Sequence, residues 1–321
     1  MLSRTADHLY WMARYTERAE NVARMLDVNY RMSLLPQTPE QVEQGWGATL
    51  STTDLYEAFH DKHEKVTPDK VLKFMAFDHD NPSSIYSCLK AARENAHAVR
   101  GTLTSEQWET LNATWLEMRD MSPDRLSRSG LGAFFEWVKF RSHLSRGVTV
   151  GTMLRDEAFR FARLGTFLER ADNTARILDV KYHLLLSDSE DSDSAADYYQ
   201  WSALLHSVSA FEIYRKVYRD LITPLRVTEL LILRDDMPRS LLRCLDEVYI
   251  NLRAVANKHS KETERRAGEL YSSLHFGRIE DIFEIGLHEY LTQFLGRTDD
   301  LGKRIAKDFL VQFNAPRGAN Q

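Results

Sequence analysis

Two stretches of this chain, half its length apart, are nearly identical. Residues 17–30 read ERAENVARMLDVNY, and residues 169–182 read ERADNTARILDVKY. Ten of the fourteen positions are the same at a spacing of 152 residues, and the pair Glu20/Asp172 keeps its negative charge. A chain that repeats a segment of this length most simply contains two copies of one structural unit. We therefore predict a tandem duplication.

A second set of matches follows in the same order, at a spacing of 156 residues. Asp80, Pro82, Ser84, Cys88 and Leu89 match Asp236, Pro238, Ser240, Cys244 and Leu245. The order is preserved and the spacing drifts by only four residues, so we predict a first repeat over 1–150, a second over 151–300 and a C-terminal tail over 301–321. We expect the repeats to pack as one domain. Two cysteines provide no disulfide framework, so we interpret them as small core residues.

The chain is predicted to be all-α, a helical bundle made of two pseudo-symmetric repeats. Only 14 glycines and 8 prolines punctuate the 321 residues, which favours long helices over many short strands. Alternating three-four apolar spacing predicts one long helix from about Leu2 to about Leu35 and another from about Thr152 to about Leu186. Alanines in both repeated segments permit close helix approach, so we expect these helices to meet at the interface. The acidic, serine-rich stretch 187–194 is predicted to be a solvated loop.

The composition disfavours several classes of partner. A net charge of −5 gives no reason to expect binding to nucleic acid or to an anionic membrane. The longest aliphatic runs, such as Leu230–Leu233, are far shorter than the roughly 20 residues that span a bilayer. The first residues lack a basic stretch followed by an apolar one. We therefore expect a cytoplasmic protein with neither nucleic acid nor membrane as partner.

A polar strip runs along each of the two predicted long helices. Its candidate binding residues are Arg14, Arg18, Glu20, Asn21 and Arg24 in the first copy and Arg170, Asp172, Asn173 and Arg176 in the second, with Glu17 and Glu169 as candidate catalytic residues. A solvated face would tolerate drift between copies, yet most of these positions are unchanged. Two alternatives stay open: a buried polar network that fixes helix packing, or a strip that binds a polar ligand or partner. In the second case the arginines would hold a carboxylate or phosphate, and a glutamate would act as base or bind an amine.

A di-metal carboxylate site is a rival interpretation. Glu57-x-x-His60 and Glu94-x-x-His97 have the spacing that helical di-metal proteins use. The positions 156 residues later carry Ile213, Lys216, Ile250 and Arg253, so the pattern is not repeated. We predict no bound metal. Gly-rich phosphate loops and a Gly-x-Ser-x-Gly turn are also absent from the sequence, so we expect no ligation chemistry from this chain alone.

Further motifs resemble the bacterial alpha-E family over most of the chain. They are Leu2-Ser3-Arg4, Arg93-Glu94-Asn95-Ala96, Glu106-x-Trp108-Glu109 and Pro238-Arg239-Ser240, together with the two strips. The resemblance adds Arg93, Glu94, Asn95, Arg239 and Ser240 as candidate binding residues. It differs at His97, where the family usually has a basic residue after Glu-Asn-Ala.

The resemblance also implies a functional context. Alpha-E proteins are typically encoded beside, or fused to, circularly permuted ATP-grasp proteins and transglutaminase-like proteins. ATP-grasp enzymes join a carboxylate to an amine through an acyl-phosphate. The implied role is that of a helical partner in an amide- or peptide-forming ligase system, with ATP and Mg²⁺ bound by the partner. The alternatives are a non-catalytic scaffold and a di-metal enzyme.

Overall fold

The computed structural model describes residues 1–33, 38–122, 130–187 and 194–310. Within these ranges the chain forms fifteen α-helices and no β-strand, which confirms the all-α class. None of these helices combines the length and apolar character that crossing a bilayer requires. The predicted acidic loop, apart from its two end residues, and the chain beyond residue 310 lie outside the described residues.

The helices fall into two series of similar order. The first series is α1 (Ser3–Met32), α2 (Pro39–Thr52), α3 (Tyr56–His60), α4 (Pro68–Ala76), α5 (Ile85–Ala98), α6 (Ser105–Arg119) and α7 (Leu131–Thr152). The second is α8 (Glu157–Ser187), α9 (Ser194–Ser207), α10 (Phe211–Tyr218), α11 (Pro224–Ile232), α12 (Leu241–Ala254), α13 (Lys261–His275), α14 (Ile279–Ile285) and α15 (Leu287–Phe309). Helices α4, α5 and α6 begin and end 156 residues before α11, α12 and α13. This order is what a duplication would produce, and the duplication itself stays a prediction.

The boundaries differ in places from those predicted. Residue 150 lies inside α7, and residue 300 lies inside α15, so part of the predicted tail is helical. The second long helix begins at Glu157 rather than at Thr152. Helix α7 ends at Thr152, and a short turn separates it from the N-terminus of α8. The Asp156 carboxylate accepts hydrogen bonds from the backbone N–H groups of Ala158 at 3.0 Å and Phe159 at 3.3 Å. Such a capping side chain starts a helix without any glycine or proline to signal it.

The two longest helices, α1 and α8, pack along each other at the centre of the molecule, as predicted. Helices α5 and α7 pack on α1, while α12 and α15 pack on α8. Each series also contacts the central helix of the other, since α9 packs on α1 and α2 packs on α8. All ten residues from Ala19 to Val28 are consequently buried. This central part of α1 has no solvated face, and its charged side chains must find partners inside the protein.

The predicted burial of the two cysteines is confirmed. Cys88 on α5 and Cys244 on α12 are both free and fully buried. Burial raises the pKa of each thiol to about 12. Both are therefore small core residues that stay protonated, and neither provides a reactive thiolate.

The closest approach of α1 and α8 depends on Gly165. A Cβ at this position would lie 2.2 Å from the carbonyl oxygen of Tyr10 and 3.3 Å from Cβ of Ala13. The carbonyl group of Tyr10 cannot move away from this methyl group unless α1 shifts as a whole. The missing side chain thus sets the spacing that brings the polar strips together.

The variant Gly165→Ala is expected to lower the free energy of unfolding by about 1–3 kcal/mol, because the added methyl group overpacks this contact. Urea unfolding measures the change. Gly147→Ala on the open surface of α7 is the matched control, since nothing lies within 4 Å of its Cβ position. Alanine is the better helix former, so this control should gain up to about 1 kcal/mol. Equal effects of both variants would contradict the role given to Gly165.

Candidate functional site

The repeated Glu-Arg pairs exchange partners between the two central helices. Arg170 donates from Nε and Nη2 to Glu17 Oε1 and Oε2, both at 2.9 Å. Arg18 donates from Nε to Glu169 Oε1 at 2.6 Å and from Nη2 to Oε2 at 3.1 Å. Each arginine thus grips the other helix's glutamate in bidentate fashion, which is the strongest form of this ion pair.

Around Glu17 the structure assembles what we call the first cluster, formed by Glu17, Glu20, Arg24, Arg146, Arg170 and Arg239. Glu17 also accepts a hydrogen bond from Arg146 Nη1 at 2.8 Å and lies 3.1 Å from Arg239 Nη1. Glu20 accepts from Arg24 Nε at 2.8 Å, from Arg239 Nη2 at 2.5 Å and from Arg146. Two carboxylates are therefore held by four guanidinium groups drawn from α1, α7, α8 and the loop before α12.

Around Glu169 lies the second cluster, formed by Glu169, Asp172, Asp54, Arg14, Arg18 and Arg176. Arg14 Nε donates to Glu169 Oε2 at 2.6 Å. Arg176 donates to Asp172 Oδ2 at 2.9 Å and to Asp54 Oδ2 at 2.8 Å. Here three guanidinium groups face three carboxylates.

Burial decides against a solvated strip. The relative exposure of Glu17 is 1% and that of Glu20 is 0%. Burial alone raises the pKa of Glu17, but the guanidinium groups of Arg170, Arg146 and Arg239 outweigh it and lower that pKa to about 2. Burial also lowers the pKa of Arg239, to about 10. A carboxylate with so low a pKa is a weak base at neutral pH, which argues against Glu17 as a general base.

Two of the three acidic groups of the second cluster, Glu169 and Asp172, have pKa values shifted in opposite directions. Burial raises the pKa of Glu169, yet Arg14 and Arg18 reverse this and lower it overall. The pKa of Asp172 is raised, because burial outweighs the attraction of Arg176. The first cluster has four guanidinium groups for two carboxylates, and the second has three for three. The clusters thus differ in charge balance although their strips are almost the same in sequence.

Sequence reasoning found most of these residues but missed three. Arg146 and His143 lie on α7, outside every motif, and the positions 156 residues later carry Gly302 and Asp299. Asp54 follows α2 and has no charged counterpart. None of the three gives a repeat or motif signal, since each matters only in one copy.

Several other candidates lie outside both clusters. Ser240 is the N-cap of α12, where its hydroxyl accepts the backbone N–H of Arg243 at 3.0 Å. Arg93 donates to Asn112 Oδ1 at 3.2 Å and to the exposed Glu94. Asn95 Oδ1 lies 2.8 Å from His8 Nδ1. The side chain of Asn173 makes no hydrogen bond with the described residues. In contrast, Asn21 Oδ1 accepts a hydrogen bond from Arg239 Nη1 at 3.1 Å, so Asn21 lies beside the first cluster.

The two Glu-x-x-His pairs lie on separate short stretches. Glu57 and His60 are on α3, where His60 packs against Tyr56 and Phe59. Glu94 and His97 are on α5, and the imidazole of His97 lies 5.6 Å from the ring of Trp108. Among the residues that the structure describes, no group of three or more His, Cys, Asp or Glu side chains has the arrangement of a metal site.

The reciprocal Glu-Arg pairing agrees with a known family description. A family model named Alpha-E, described as a predicted alpha-helical domain with a conserved ER motif, matches residues 1–310. The chain belongs to the alpha-E family. Glu-Arg occurs in the strips of this alpha-E protein at 17–18 and 169–170, where the two pairs join its central helices.

Its curated relatives include mycobacterial proteins of greater length. The Mycobacterium tuberculosis (strain ATCC 25618 / H37Rv) protein named "Uncharacterized protein Rv2567" is 25% identical over 313 residues. The match covers 91% of this chain and 35% of that protein. The Mycobacterium bovis (strain ATCC BAA-935 / AF2122/97) protein "Uncharacterized protein Mb2597" matches to the same extent. The chain thus spans about a third of the length of these relatives. No solved structure matches it.

Replacing Glu17 with alanine is expected to lower the free energy of unfolding by about 3–5 kcal/mol, because the surrounding guanidinium groups are left buried without their anion. Chemical denaturation measures the loss. Glu262→Ala is the control, since Glu262 pairs with Arg265 and Arg266 on the surface of α13. Such exposed pairs contribute little to the free energy of unfolding. A loss at Glu17 no larger than at Glu262 would show that the first cluster is not a stabilising network.

Acid is expected to destabilise the fold in a way that depends on Glu17. The ordinary glutamate pKa is 4.5 and that of folded Glu17 is about 2. The stabilisation is therefore complete above the unfolded pKa and is lost as pH falls from about 5 toward about 2. Urea titrations across this range should show a steeper fall for the wild type than for Glu17→Gln, which has no carboxyl to protonate. Parallel pH profiles would contradict the prediction.

Proposed function

We propose that this alpha-E protein is the helical component of an amide- or peptide-forming ligase system and acts with a circularly permuted ATP-grasp protein. In this proposal the partner binds ATP and Mg²⁺ and forms the acyl-phosphate, in the cytoplasm where ATP is available. Two facts support a component rather than a self-sufficient enzyme. Both strip glutamates are held by arginines, and the mycobacterial relatives carry this unit within a chain almost three times as long.

The observation that carries the proposal is an exposed apolar face on α7. Phe140 is 67% exposed, Leu144 45% and Val150 46%. They follow one another at helical spacing, with the exposed Gly147 between them, so they form one continuous strip. An exposed apolar surface of this kind is typical of a protein-binding site.

The matching helix of the second series shows what a solvated face looks like in the same protein. The positions 156 residues later, on α15, carry Gly296, Asp300 and Ala306. Asp300 accepts a hydrogen bond from Arg304 at 2.7 Å along the helix. A helix in this structural position can therefore lack large exposed apolar side chains, and the apolar residues of α7 need another explanation. A docked partner supplies it.

A non-catalytic scaffold is the second candidate. It is favoured by the complete pairing of Glu17 and Glu169 with arginines, which leaves neither carboxylate free for chemistry. A scaffold would bind the ATP-grasp protein without changing its turnover. A transglutaminase-like protein is a further partner in the proposed system.

Phe140→Asp is expected to weaken the proposed complex with a circularly permuted ATP-grasp protein at least about tenfold, because buried interface aromatics dominate binding energy and a carboxylate there is costly. Co-purification and calorimetry measure affinity, and ATP hydrolysis by the mixture measures function. Phe276→Asp is the matched control, since Phe276 is 79% exposed but lies after α13. Both variants should keep the wild-type melting temperature.

The outcomes separate the candidates. The ligase component is supported if full ATP turnover occurs only in the mixture of the two proteins. This turnover should be lost with Phe140→Asp and kept with Phe276→Asp. Complex formation that leaves turnover unchanged supports the scaffold. Absence of any complex with the ATP-grasp protein contradicts both.

A further inference from the structure

We propose that the first cluster is a carboxylate-binding site, in which the ligand's carboxylate lies between the guanidinium groups of Arg24 and Arg146. In the structure the imidazole ring of His143 occupies this position. The proposal concerns the isolated chain and does not depend on the ATP-grasp partner.

The first observation is the charge balance. The four guanidinium groups of the first cluster face only two carboxylates, and no third acidic group among the described residues lies within ion-pair distance of them. Arg239 is 6% exposed and Arg24 is 4% exposed, whereas 21% of the Arg146 side chain is exposed, so solvent compensates only part of the excess. Buried charge without a counter-ion is costly. A bound carboxylate would reduce this excess.

The second observation is that the other cluster has the missing charge built in. Asp54 and Ser209 follow α2 and α9, and both adopt the left-handed conformation, with φ of 55° and 54°. Arg176 Nη1 donates to Asp54 Oδ2 at 2.8 Å, and Arg24 Nη1 donates to Ser209 Oγ at 2.6 Å. The same loop position thus offers a carboxylate to one cluster and a neutral hydroxyl to the other.

The third observation is the placement of His143. Its Nε2 lies 3.4 Å from Arg24 Nη2, and its Nδ1 lies 2.6 Å from Arg146 Nη2. Partial burial of the ring and the neighbouring arginines lower the pKa of this histidine, and Glu20 opposes them. A neutral imidazole has one acceptor nitrogen, so it satisfies only one of the two donors it meets. The ring is a poor partner for this pair of guanidinium groups.

A carboxylate fits this position better than the ring does. It is planar, and its two acceptor oxygens are spaced much like the two imidazole nitrogens, so one oxygen can face each guanidinium group. His143 is exposed on the outer side of α7, which leaves its side chain free to turn toward solvent. Displacement of the ring therefore opens the site from outside without any movement of a helix.

A buried, unpaired donor lies beside the same arginines. Asn21 is 1% exposed, and its Nδ2 has no hydrogen-bond partner among the described residues, although its Oδ1 is bound by Arg239. Unsatisfied buried donors are rare in native proteins and call for a ligand, water or ion. The first cluster thus combines excess positive charge with a spare donor.

The flanking surface indicates what the carboxylate is attached to. Phe140 and Leu144, both exposed, lie next to His143 on α7. An acid with a short apolar chain would place its charge between the arginines and its chain against these side chains. We therefore expect a carboxylic acid with an apolar substituent to bind more tightly than acetate.

The test uses acetate and butyrate as probes, titrated into the isolated full chain by calorimetry at constant ionic strength set with chloride. Wild type should bind both in a saturable way, with butyrate the tighter ligand. Ser209→Asp places a carboxylate beside Arg24, as Asp54 does beside Arg176, and aspartate tolerates the left-handed backbone. Binding should fall at least about tenfold, because two like charges in one site repel each other.

Two further variants complete the test. Asp54→Ser is the matched control, since it alters the same loop position at the second cluster and should leave the affinity of the first site unchanged. His143→Ala removes only the displaced ring and should raise the affinity for acetate. Melting curves establish that each variant is folded.

Wild-type binding by Ser209→Asp, or lost binding in His143→Ala, would overturn the proposal. Absence of saturable acetate or butyrate binding in the wild type would also overturn it, as would binding of inorganic phosphate alone. Because every readout is on the isolated chain, failure here leaves the ATP-grasp proposal intact, and failure of that complex leaves this site intact.

Discussion

The fold depends on an exchange of ion pairs between its two central helices. Glu17 is bound by Arg170 of α8, and Glu169 is bound by Arg18 of α1, each through two hydrogen bonds. Because the carboxylates are buried, neither tolerates the loss of its partner without a large cost in free energy. The pairs therefore fix the relative position of α1 and α8, around which the other helices pack.

Much of this arrangement could be predicted from the sequence. The repeated strip indicated two long helices, their mutual contact and a demand for fixed geometry at Glu17 and Glu169. The sequence could not show that the polar side of α1 is buried. Periodicity separates the apolar side of a helix from its polar side, but here both sides are covered by other helices. Sequence reasoning also missed Arg146 and Asp54. Each contacts residues that are distant in the chain, and each occurs in only one of the two series.

The two series of helices differ around their shared Glu-Arg pairs. The loop position that holds Asp54 in one series holds Ser209 in the other. Helix α7 exposes Phe140 and Leu144, where the matching positions of α15 carry Gly296 and Asp300. Both differences fall on the side of the first cluster. Charge imbalance and apolar exposure therefore concentrate in one region, while the second cluster and α15 keep the balanced pairing of an ordinary structural element.

The reciprocal Glu-Arg pairing has the form of an isologous contact, in which the same patch is used twice about a twofold axis. Any two copies of α1 alone would offer each other the same glutamate and arginine. If the predicted duplication took place, a half-length ancestor could have assembled as a homodimer through this contact before its gene was joined to itself. Fusion would then have released each half from symmetry, since a residue such as Arg146 no longer had to appear twice.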